Sequence, residues 1–146
     1  MTENSSKKET FFEQPGEYSV EVIPEKNRIN YVFSGDLKKK EDIPNYVEHA
    51  QKAIDMVMEG YTLKSEVTAK GAPGLAASTY IKKGLKILKS KKVLGTAVVL
   101  DPKKVLQRMT LNVVSRMSGM NVKVFTDTGE AETWLDKITA DQEAAS

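Results

Sequence analysis

Val93-Leu94-Gly95-Thr96-Ala97-Val98-Val99-Leu100 is an eight-residue run with no charge and a single polar side chain, Thr96. A strand of this kind has no face fit for water, so something must cover it on both sides. Asp101-Pro102 follows at once. Asp is a good helix cap and Pro suits the first helical turn, so the run reads as a central strand passing directly into a helix. Val105, Leu106, Met109, Val113 and Met117 recur at helical spacing, with Lys104 and Arg108 on the other side, and Gly119 closes the segment.

Working outward from this βα unit, Ala77, Ile81, Leu85 and Leu88 stripe a preceding helix whose opposite side carries Lys82, Lys83, Lys86 and Lys89. Before it, Tyr61, Leu63 and Val67 alternate with Thr62, Lys64 and Glu66 as a strand. Ile43, Tyr46, Val47, Ala50, Ala53, Ile54 and Val57 mark a helix ending before Gly60. Tyr18, Val20 and Val22, then Ile29, Tyr31 and Phe33, alternate on either side of Pro24-Glu25-Lys26-Asn27 and predict a hairpin. Downstream lie a short strand, Val122 to Phe125, and a helix over 127–138 with Ala131, Trp134, Leu135 and Ile138 as its inner stripe. Residues 1–16 read as a polar, disordered lead despite Phe11-Phe12, 17–138 as one domain, and 139–146 as a frayed end.

The element order is ββαβαβαβα. Right-handed crossovers make this an α/β fold with a mostly parallel five-stranded sheet and one antiparallel edge strand. Alternation in most strands predicts one polar sheet face, hence helices mainly on the other.

At 146 residues, the chain can bury a substantial core. With no Cys and one His, disulfides, thiolate nucleophiles and multi-histidine metal sites are excluded. The N-terminal stretch lacks a signal peptide's apolar core, and no apolar run spans a bilayer, which predicts a cytoplasmic protein. Net charge is +2, yet from Lys64 to Lys123 there are thirteen Lys or Arg against two acids. The middle of the chain is therefore strongly basic and the flanks acidic.

The chain resembles the SpoIIAA-like superfamily of STAS domains, in particular its small bacterial STAS/SEC14-like branch, over about Tyr18 to Ile138. The resemblance rests on the element order, on Tyr31-Val32-Phe33-Ser34-Gly35-Asp36-Leu37, on the Val93 to Leu100 strand with Asp101-Pro102, and on Val122 to Leu135. It implies a non-enzymatic, regulatory domain that binds a protein or senses a small ligand. Family members that antagonise anti-sigma factors carry a phosphorylatable Asp-Ser pair at the second helix. Here Gly71-Ala72-Pro73-Gly74 stands there, with Ser78 and Thr79 one turn later, so the phospho-switch does not carry over.

Gly71, Ala72 and Gly74 lie between a strand and a helix, where backbone N–H groups favour an anion. They match no Walker or dinucleotide pattern, and a plain connection is the simpler reading. With Ser78, Thr79, Lys82, Lys83, Lys86, Lys104 and Arg108 they form the candidate binding residues for an acidic protein or small anionic ligand. Nucleic acid or an anionic membrane is the alternative partner, although no aromatic residues interleave with these lysines for base stacking. A homo-oligomer is compatible with the sequence. No cofactor or metal is expected. His49, beside Glu48, reads as a surface histidine; Asp36, Asp101 and Asp127 all follow strands, where carboxylates could gather for a metal, but each also precedes a helical segment, and capping explains at least Asp101 and Asp127 without a ligand.

Overall fold

A computed structural model describes residues 10–14, 18–33, 45–67, 75–100 and 119–145. The strands are β1 (Thr10–Gln14), β2 (Tyr18–Ile23), β3 (Arg28–Phe33), β4 (Tyr61–Val67), β5 (Val93–Leu100) and β6 (Val122–Phe125). The helices are α1 (Tyr46–Asp55), α2 (Leu75–Leu88) and α3 (Thr128–Ala145). The chain is α/β. Its mixed sheet runs β1-β2-β3-β4-β5-β6, antiparallel through β1, β2 and β3 and parallel from β3 to β6.

Among the described residues the sheet has six strands rather than five. Thr10–Gln14, expected to be part of a disordered lead, pairs with β2 from Thr10↔Val22 to Gln14↔Tyr18 and becomes the edge, displacing β2 inward. Its short Thr-Phe-Phe core suits a strand, and the pairing satisfies backbone groups that β2 would otherwise leave open. The turn from β2 to β3 is a single 3-10 turn ended by Asn27 at φ 49°, a left-handed conformation that Asn tolerates. The Asn27 side chain also receives the Met58 N–H at 2.8 Å and donates to the Met58 carbonyl at 3.1 Å, tying the hairpin to the loop after α1.

Register sorts the side chains onto two faces. Ile29, Tyr31 and Phe33 of β3 align with Leu63, Ser65 and Val67 of β4, and these with Thr96, Val98 and Leu100 of β5. On this face α1 and α2 deliver Tyr46, Ala53, Ile54, Leu85 and Leu88 to one apolar core. Tyr31 and Phe33 stack with centroids 5.5 Å apart, and Tyr46 leans on both. α1 and α2 approach closely at Gly84, where the Tyr46 ring fills the space a Cβ would take.

The opposite face carries Arg28, Asn30, Thr62, Lys64, Gly95, Ala97 and Phe125. The expectation that helices cluster away from it is corrected for α3, which packs there against β5, β4 and β6. Ala131 and Leu135 join Ala97 and Phe125 in a second small core, flanked by Val99 and Trp134. β5 is thus covered on both faces, as its uninterrupted apolar composition requires. Gly95 admits the helix: a Cβ there would sit 2.7 Å from Ile138 Cδ1 and 3.3 Å from the Trp134 ring.

α3 also extends to Ala145, so most of the stretch expected to fray is helical. Residues 139–145 contain no Gly or Pro, and a Lys137–Asp141 pair spans the junction. Asp127 caps α3 as expected, accepting the Glu130 N–H at 2.9 Å on its side chain. Asp36, Asp101 and the helix predicted from Val105 to Met117 fall outside the described residues. No helix among the described residues is long and apolar enough to cross a membrane.

Candidate functional site

The basic candidates separate once they are placed. Lys82, Lys83 and Lys86 lie exposed on α2, on the side away from Leu85 and Leu88, which are buried against the sheet. Lys89 extends the exposed row by one residue past the helix. Lys82 and Lys86 have no carboxylate partner among the described residues. Ser78 and Thr79 fall within α2, but their side chains lie outside the described part. Gly71, Ala72, Gly74, Lys104 and Arg108 lie outside the described residues altogether.

Three cations of the basic middle segment make contacts within the fold. Lys91 Nζ donates to the carbonyls of Ile54, at 2.8 Å, and Val57, at 2.6 Å, and so closes the C-terminal end of α1. Lys123 Nζ sits 5.4 Å from the Phe125 ring centroid and 5.9 Å from that of Trp134, over the second core. Lys64, nearly buried, turns to α3.

Lys64 belongs to an ion-pair bridge that joins the polar sheet face to α3. Strand alternation puts Arg28 and Lys64 on the same face, and Arg28 is fully buried. Glu132 spans the two: one carboxylate oxygen lies 2.5 Å from Arg28 Nη1 and the other 2.5 Å from Lys64 Nζ. One turn on, Asp136 lies 2.9 Å from Arg28 Nη2. Arg28 Nε donates to Thr62 Oγ1 at 2.8 Å, which fixes the plane of the guanidinium, and Lys64 Nζ also donates to Thr128 Oγ1 at 3.2 Å. Lys26 stands at the rim, 3.8 Å from Glu132 and 3.7 Å from Asp136.

Burial would push the Glu132 carboxyl up, but the hydrogen bond and charge of Lys64, with the charges of Arg28 and Lys26, outweigh it and hold the group below the usual carboxylate range. The cost of burying these charges is offset only because each cation reaches a carboxylate. Strand alternation puts Lys64 on a polar face, but no motif singles out Arg28, Glu132 or Asp136. The available signal was the placement of Glu132 and Asp136, four apart and each directly after an apolar stripe residue, Ala131 and Leu135.

His49 is a correction. It lies with Tyr46, Ala50 and Ala53 on the inner side of α1 and is only 9 % exposed. Desolvation lowers its pKa, against the opposing charge of Glu48 and with a smaller contribution from Lys52. Tyr61 is another buried titratable group: it donates to the Leu88 carbonyl at 2.5 Å, and burial together with the charge of Glu59 raises its pKa. Among the described residues, no group of three or more His, Cys, Asp or Glu could hold a metal ion.

No protein-family model matches this chain, and its comparison with curated proteins and with solved structures gives no significant match.

Proposed function

We propose that this chain is a STAS-like, non-catalytic interaction domain that docks an acidic protein partner through the exposed face of α2. The observation that carries the reading is the row of Lys82, Lys83 and Lys86, held outward because Leu85 and Leu88 fix the helix register on the core. Lys64 and Lys91 turn to partners within the fold, whereas the α2 lysines share one exposed helix face, which Lys89 continues. Lysines on a fixed helix face match a carboxylate-rich protein surface. The absence of interleaved aromatic residues weighs against single-stranded nucleic acid.

The test is a pull-down with tagged protein, run with and without nuclease and at low and high salt, comparing wild type with K82E/K83E/K86E. The reading predicts a defined acidic protein that survives nuclease, is retained at moderate salt and is lost with the triple variant. Equal capture by the variant refutes the role of α2. Loss on nuclease, or binding that follows anionic vesicles and collapses steeply with salt, transfers the face to polyanion binding.

A further inference from the structure

The ion-pair bridge lies across the sheet from the α2 lysines and is independent of the reading above. Two features set it apart from an ordinary surface network. First, the sheet-side hairpin and strands supply only cations here, Lys26, Arg28 and Lys64, while both compensating carboxylates come from one turn of α3. Second, the apolar seam of α3 is narrow: of its 18 residues only Ala131 and Leu135 are fully buried, with Trp134 and Ile138 half-buried over Gly95. Thr139 Oγ1 is also buried without a hydrogen-bond partner among the described residues. A helix seated this way is held by a narrow apolar seam and, beside it, by its charges.

We propose that α3 is a latch whose Glu132 and Asp136 act as an internal ligand for an oxyanion site built on β3 and β4. Arg28 and Lys64 converge on the two oxygens of a single carboxylate, which is the geometry that recognises one phosphate or carboxylate group of a ligand. Thr62 pre-orients the guanidinium whether or not α3 is seated, because it lies on the strand beside Arg28. A multivalent oxyanion therefore competes with Glu132 and Asp136, and its binding loosens α3 on the sheet.

The experiment measures amide hydrogen exchange and pyrophosphate binding on the full chain, for wild type, D136N and E132Q/D136N. The latch predicts at least tenfold faster exchange in α3 of the double variant with β4 and β5 still protected. It also predicts pyrophosphate binding at least tenfold tighter than wild type, abolished by adding R28Q. In wild type, pyrophosphate speeds α3 exchange saturably, whereas sodium chloride of equal ionic strength does not. D136N, at a half-exposed position, gives a smaller change of the same sign and serves if the double variant does not fold. If α3 and the sheet lose protection only together, or pyrophosphate leaves wild-type α3 exchange unchanged, the bridge is structural and the latch is refuted.

Discussion

Replacing Glu132 with Gln keeps the shape of the side chain and removes its charge, so it isolates the electrostatic part of the bridge. Lys64 loses its carboxylate partner and retains Thr128, while Arg28 retains Asp136. Stripping one partner from a buried pair costs about 3–5 kcal/mol. Glu132 is about one-quarter exposed, Asp136 remains, and the amide still accepts a hydrogen bond, which together reduce the expected loss at pH 7 to about 2 kcal/mol. In urea, with a slope of about 1–3 kcal/mol/M, the midpoint falls by roughly 1 M. The sign of the pH dependence follows from the depressed carboxyl pKa of Glu132. Its contribution is fully present above the unfolded value of 4.5 and is lost as pH falls through the lower folded value. Wild type and E132Q should therefore differ at pH 7 and converge below pH 4.5. Equal midpoints at pH 7, or a gap that persists undiminished at low pH, would refute the assignment of stability to this carboxylate.

Other perturbations test other parts of the fold. V98D buries an unpaired charge at a fully buried position of β5 and should cost several kcal/mol, abolishing the cooperative thermal transition; a folded variant would show that β5 is not central. His49 is held neutral by burial, so the unfolded chain takes up its proton first as pH drops below 6.5, and stability should fall there; H49Q should remove that step from the pH–stability curve while leaving the lower one due to Glu132. K91M withdraws the ammonium from the Ile54 and Val57 carbonyls and should cost about 1 kcal/mol, read as a lower urea midpoint with an unchanged slope.

The strands β2 to β6, the apolar stripes of α1 and α3 and the Leu85–Leu88 part of that of α2 were legible because period-two and period-3.6 patterns are imposed by burial itself. Ala131, Leu135 and Val98 sit where their periodicity puts them. β1 was hidden because Thr10–Gln14 is short, lies in a polar context and owes its structure to pairing with β2. The location of α3 was hidden for a different reason. Alternation marks a polar face but does not say whether water or a set of countercharges meets it, and Arg28 and Lys64 meet Glu132 and Asp136. His49 was legible in principle, three residues after Tyr46 and four before Ala53, but its charged neighbours Glu48 and Lys52 drew it to the surface reading. Of the candidate binding residues, the exposed positions of Lys82, Lys83 and Lys86 on α2 followed from helical periodicity alone.

The central structural claim is that charges on α3 neutralise cations buried on the sheet. A double-mutant cycle of K64M and E132Q, measured by urea unfolding at pH 7, tests it most directly. The bridge predicts a coupling of about 1.5–3 kcal/mol, with the double variant more stable than the sum of the single losses implies. Additive losses within about 0.3 kcal/mol would show that Lys64 and Glu132 do not interact, and would remove the charge-held seat of α3.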